Sequence, residues 1–168
     1  AGNTAVGYRA LTTNTTATRH TAIGFKALEA NTAADDNTAV GYAALQANST
    51  GQNNTAVGSE SLKSNTTGAQ NTAVGTEAME QNTTATGNTA VGYEALRDNT
   101  TAVRHVAVGY GALRANTNAS DNTALGYFAL AVNTTGARNS SLGSYSLDAS
   151  TTGDDNTAIG YAALSANT

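Results

Sequence analysis

The sequence predicts an all-β repeat solenoid, a parallel β-roll or β-helix of 17-residue turns with room for a short helical turn in each copy. Three observations carry this reading. A unit typified by Asn37-Thr38-Ala39-Val40-Gly41-Tyr42, followed by Ala44 and Leu45, recurs along the whole chain. Its glycine falls at Gly7, Gly24, Gly41, Gly58, Gly75, Gly92, Gly109, Gly126, Gly143 and Gly160, always 17 residues apart and without insertion or deletion. Spacing this regular requires each copy to stack on the next in the same way. Finally, Thr, Asn, Ala and Gly dominate the 168 residues and large apolar side chains are few, so one compact core is not expected.

The first element of each copy is a strand. Thr-Ala-Val-Gly is short, β-branched, and bounded by Asn and Gly. Its third position holds Val6, Ile23, Val40, Val57, Val74, Val91, Val108, Leu125, Leu142 and Ile159. A second aliphatic column holds Leu11, Leu28, Leu45, Leu62, Met79, Leu96, Leu113, Leu130, Leu147 and Leu164. Both columns are aliphatic in every copy and are expected to point inward as the structural core. Two columns, Ala5 to Ala158 and Ala10 to Ala163, admit only Ala or Ser, which implies close packing. The glycines mark the bend after the strand.

The Tyr column (Tyr8, Phe25, Tyr42, Ser59, Thr76, Tyr93, Tyr110, Tyr127, Ser144, Tyr161) reads as a broken, half-exposed aromatic ladder. The columns after Tyr (Arg9 to Ala162) and after Leu (Thr12 to Ser165) vary freely and are expected to face solvent. The stretch typified by Glu94-Ala95-Leu96-Arg97-Asp98 suits either a helical turn or a second short strand. Asn14, Asn31, Asn48, Asn65, Asn82, Asn99, Asn116, Asn133 and Asn167 then mark a turn, because Asn tolerates left-handed φ; Ser150 is the exception.

A longer order lies over the short one. His20 and His105 both replace the Asn before the strand, both follow Arg, and lie 85 residues apart, which is five copies. Ser59-Glu60-Ser61-Leu62 is echoed by Ser144-Tyr145-Ser146-Leu147. Residues 1–168 therefore read as one array of ten copies in which a five-copy block has been duplicated. The array starts and stops in mid-pattern, so the sequence is expected to be part of a longer chain.

Net charge is −4 and charged residues make up 12%, without the clustered Lys and Arg of a nucleic-acid footprint. No apolar run is long enough to span a bilayer, so neither nucleic acid nor membrane is an expected partner. The absence of Cys excludes disulfides and thiolate metal sites. No Ser-His-Asp constellation or phosphate loop recurs, and neither an enzyme nor a cofactor is expected. His20 and His105 would stand about 24 Å apart at ~4.8 Å per turn, too far to share a metal. The plainer reading makes them turn residues. Asp35-Asp36 and Asp154-Asp155 could bind Ca²⁺ but read as solvated loop charge. Sequons at Asn14, Asn48, Asn65, Asn82, Asn99 and Asn133 follow from the Asn- and Thr-rich repeat, and they leave glycosylation open.

The unit Asn-Thr-Ala-Val-Gly-Tyr-x-Ala-Leu resembles the head repeats of trimeric autotransporter adhesins. It looks still more like the repeats of phage tail fibres and bacterial surface fibres that end in an endosialidase-type chaperone domain. The resemblance spans the entire chain, although adhesin heads usually repeat at shorter spacing. It implies a homotrimeric or filamentous assembly at the cell surface, outside the cell or on a virion. The array would be a shaft spacing a tip that meets a host-surface or glycan receptor through regions beyond this sequence. It also implies that inward Asn side chains, here Asn3, Asn37, Asn54, Asn71, Asn88, Asn122, Asn139 and Asn156, form a ladder or hold an anion. The alternative is an ice-binding β-solenoid, motivated by regular Thr and Asn ladders. Against it, Thr15 and Thr16 are adjacent, and Thr4 is followed two places on by a core-like Val6.

Overall fold

The computed structural model describes residues 2–166. Ten three-residue strands follow one another at 17-residue intervals: β1 (Thr4–Val6), β2 (Thr21–Ile23), β3 (Thr38–Val40), β4 (Thr55–Val57), β5 (Thr72–Val74), β6 (Thr89–Val91), β7 (Val106–Val108), β8 (Thr123–Leu125), β9 (Ser140–Leu142) and β10 (Thr157–Ile159). They form one parallel sheet in sequence order, β1 through β10. Equivalent residues lie over each other, as in Thr38 with Thr55, Ala39 with Ala56 and Val40 with Val57. The chain is an all-β parallel solenoid, as the 17-residue period predicts.

Side chains alternate across a strand, so either Ala enters the coil or Thr and Val do. The structure turns Ala inward: Ala22, Ala39, Ala56, Ala73, Ala90, Ala107 and Ala124 are fully buried. This corrects the expected inward Val column. Val6, Ile23, Val57, Val91, Val108, Leu142 and Ile159 are exposed on the outer face, and Val40, Val74 and Leu125 are half-buried there. The Leu column is the apolar core, with Leu28, Leu45, Leu62, Met79, Leu96, Leu113, Leu130 and Leu147 all at 0% exposure. In the terminal coils Leu11 is only partly buried and Leu164 is exposed, because each has a neighbouring coil on one side alone.

No helix occurs among the described residues. The segment after the strand instead alternates in hand. Glu94 and Leu96 both have φ of 54°, which breaks any run of right-handed residues. Three successive four-residue turns result, with the amides of Ala95, Arg97 and Asn99 donating to the carbonyls of Gly92, Glu94 and Leu96. The intervening amides reach other coils: Glu94 donates to Thr76 below, and Leu96 to Ala112 above. Left-handed Leu costs about 1 kcal/mol per residue. The arrangement puts Ala95 and Leu96 both inside, which a single helical turn or strand would not do.

The Asn column after this segment is not a left-handed turn. Asn31, Asn48, Asn65, Asn82, Asn99, Asn116 and Asn133 are fully buried and absent from the positive-φ positions, which fall instead at the Arg9, Leu11 and Arg19 columns. Asn14 is half-buried, and Asn167 lies outside the described residues. Each amide donates to its neighbour one coil below, as in Asn65 Nδ2 to Asn48 Oδ1 (2.8 Å) and Asn82 Nδ2 to Asn65 Oδ1 (2.6 Å). Parallel to this ladder runs the second, formed by the Asn before each strand. Asn54 and Asn71 offer Oδ1 to the backbone amides of Asn71 and Asn88, both at 3.0 Å. The two ladders meet at the closing loop: Gly68 O accepts from Asn54 Nδ2 (2.9 Å) and Asn65 Nδ2 (3.0 Å). A carbonyl turned into the coil must find donors, and the paired amides supply them.

Where Ser150 replaces Asn the first ladder stops at Asn133, and Ser150 Oγ is buried without a partner. Ser150→Asn would place an amide against Asn133 Oδ1 and the Gly153 carbonyl. It is expected to raise stability by about 1 kcal/mol, read as an upward shift of the urea midpoint at unchanged slope.

Candidate functional site

The most continuous exposed feature is the outer face of the sheet and the aromatic column beside it. The strand Thr and Val residues point outward in register. Just past the glycine bend, Tyr8, Phe25 and Tyr42 stack with centroids 5.3 Å apart at each step. Tyr93, Tyr110 and Tyr127 form a second stack at 5.0 and 5.2 Å. Ser59 and Thr76 interrupt the column between them, as the sequence indicated. At the later interruption, Ser144, the neighbouring column supplies Tyr145, whose ring packs edge-on against Tyr127 and Tyr161. Four aromatics of the column are more than 40% exposed in the first eight coils, Tyr8, Tyr42, Tyr110 and Tyr127, with Phe25 and Tyr93 at 40%. The described residues thus carry an apolar stripe along the coil axis, and no pocket opens among them.

The two variable columns are less exposed than expected, because their charges pair with each other. Glu29 receives Arg9 at 2.6 Å and Lys26 at 3.6 Å, and accepts a hydrogen bond from Gln46 at 2.9 Å. Glu94 receives Arg97 at 3.0 Å and Arg114 at 3.3 Å. Glu29 and Glu94 are thereby drawn down to 9% exposure. The hydrogen bond from Gln46 and the neighbouring cations hold the Glu29 carboxyl below its ordinary range.

A further charged ladder, not among the residues expected from the sequence, runs along the loop edge. Arg19 bonds Asp36 one coil on, Arg104 bonds Asp121 (2.6 and 2.8 Å), and Arg138 bonds Asp155 (2.6 and 2.8 Å). Its signal was available: each Arg is followed by an Asp 17 residues later in the same column. These hydrogen bonds lower the affinity of Asp36, Asp121 and Asp155 for protons. The Asp35-Asp36 and Asp154-Asp155 pairs are solvated loop charge, as expected, and they are paired with Arg19 and Arg138. Asp35 Oδ1 also accepts the Thr18 amide (2.7 Å), and Asp154 Oδ1 the Ala137 amide (2.7 Å). Among the described residues no group of His, Asp and Glu is arranged to hold a metal.

The Asn residues proposed for an anion site do form a ladder: Asn37, Asn54, Asn71, Asn88, Asn122 and Asn139 are buried. Asn156 is half-buried, and Asn3 stands exposed in the first coil. Their amide donors are spent on the chain's own carbonyls, as in Asn3 to Ala17, Asn37 to Gly51, Asn88 to Ala102 and Asn139 to Gly153. An anion would have to compete with those bonds. The sequon residues Asn48, Asn65, Asn82, Asn99 and Asn133 belong to the other buried ladder, so the folded coil withholds their amides from a glycosyl donor.

His20 and His105 are not turn residues. Each is 1% exposed and stands inside the coil in place of a ladder Asn, with the same partners in both copies of the five-coil block. Comparison of the chain with family models, with curated proteins and with solved structures returned no match.

Proposed function

We propose that the array is a shaft segment of an extracellular fibre of the adhesin or tail-fibre type, spacing a receptor-binding tip carried elsewhere in a longer chain. One observation carries the reading. Every coil is bonded to the next in the same register, through backbone, Asn and Thr ladders, so length can be added in steps of one coil without a new core. The loop Thr hydroxyls contribute to this, as in Thr66 Oγ1 to Thr83 O (3.0 Å) and Thr83 Oγ1 to Thr100 O (3.1 Å). The apolar stripe of Val, Ile and aromatic side chains supports lateral self-association into a homotrimer, since contiguous exposed apolar surface marks contact sites.

Sedimentation equilibrium tests the assembly. The reading expects a particle of three times 16.8 kDa. A monomer at all concentrations would overturn the trimer.

A second reading is favoured by one finding. An ice-binding face usually needs two outward Thr separated by one inward residue; the strand turns Thr outward and Ala inward, with Val in the second outward place. Thermal hysteresis at submillimolar protein would support it, and ordinary colligative freezing would remove it.

A further inference from the structure

We propose that the two histidine coils are acid-release points built into the array, at which protonation of the buried ring breaks the stack locally. The case rests on what each ring nitrogen touches. In an ordinary coil Asn88 Oδ1 accepts the backbone amide of the next coil (2.9 Å), and Asn88 Nδ2 donates to Ala102 O (3.0 Å). His105 takes over the acceptor task with an imidazole. Its Nδ1 accepts the Asn122 backbone amide at 3.2 Å, and its Nε2 lies 3.1 Å from Asn116 Nδ2. His20 repeats the arrangement with Asn37 N at 3.2 Å and Asn31 Nδ2 at 3.1 Å.

A peptide N–H can only donate, so Nδ1 must keep its lone pair and the single proton sits on Nε2. A second proton on Nδ1 would set one donor against another and put a cation inside the coil. The charged groups around each ring do not compensate. Near His105 they are Arg104 and Asp121, which bond each other; near His20 they are Arg19, Asp35 and Asp36, also mutually bonded. The other groups packed on the rings, Asn88, Asn116 and Asn122 in one case and Asn3, Asn31 and Asn37 in the other, are uncharged. Burial accordingly lowers the proton affinity of both histidines, that of His105 to about 4.

The sign follows from linkage. In the unfolded chain His titrates near 6.5, so below that pH the unfolded state binds a proton that the folded coil refuses. Stability is complete above about pH 6.5 and is lost as pH falls toward 4. At pH 5 His105 should raise the opening constant about thirtyfold relative to pH 8, and His20 should shift it in the same direction. The acid-labile coils lie five coils apart, so a long array would open at regular intervals rather than from its ends alone.

Hydrogen exchange of the wild type and of a His20→Asn/His105→Asn variant, at pH 8 and pH 5 and corrected for intrinsic exchange, tests this. Asn is the residue the ladder uses in other coils, so the variant keeps the bonding pattern. The expected result is a loss of protection at pH 5, approximately thirtyfold in the peptides around residues 105–122 and in the same direction around residues 20–37, absent from the variant. Equal pH dependence in the two proteins overturns the proposal. Should the variant misfold, the wild-type imidazole resonances decide: titration well below 6.5 with the proton on Nε2 supports it, and titration near 6.5 refutes it.

Discussion

Gly75→Ala is expected to destabilise the array by about 3 kcal/mol or more. The backbone at Gly75 has φ of 138°, a region that residues with a Cβ rarely enter. A Cβ there would lie 2.3 Å from the Gly92 carbonyl oxygen and 2.6 Å from its carbon. The obstacle is the backbone of the next coil, not a side chain that can swing away. That backbone is itself tied to coils on both sides, so relief at one level is resisted by the next. Gly87→Ala is the control: φ is 73° and nothing lies within 4 Å of the added methyl. It should cost only the left-handed preference, about 1 kcal/mol. Urea unfolding of the two variants separates crowding from backbone strain.

Asn65→Leu is expected to cost roughly 3 kcal/mol, although it adds apolar bulk to the interior of a protein with little of it. The substitution removes the bonds from Asn65 Nδ2 to Asn48 Oδ1 and Gly68 O, and the acceptor used by Asn82 Nδ2. Two buried amides are left with lost partners, and a buried polar group without its bond carries its full desolvation cost. In an interior held mainly by hydrophobic burial the same change would be mild. The direction of the shift in the urea midpoint therefore distinguishes an amide-filled coil from an apolar one.

The period and the strand were legible because they depend on spacing and residue type alone. The direction of the side chains was harder. Thr and Val share one face of the strand and Ala takes the other, and residue size suggested Val for the inside. The coil is too narrow for that, with Leu96 and Ala95 already entering from the adjacent segment, so Ala takes the inner side and Val is left outside. The buried Asn ladders were misread for a related reason. Asn is common in turns, and its pattern in a single copy looks like a turn signal. Only the stack shows that Asn48, Asn65 and Asn82 bond one another across coils. His20 and His105 follow the same logic, since the imidazole presents an acceptor and a donor in the places of the amide oxygen and nitrogen. The Arg–Asp ladder was visible in the columns, as Arg104 and Asp121 show, and required only that residues 17 apart be treated as neighbours.

Axial stacking, with every coil adding the same rise, is the claim on which the rest depends. Small-angle scattering of the chain beside a variant in which residues 52–136 are repeated once tests it directly. The duplication adds 85 residues, five coils in register. The account predicts that the long dimension of each chain grows by about 24 Å, at ~4.8 Å per coil, while the cross-section stays the same. A cross-section that swells with the insertion, with little gain in length, would contradict it.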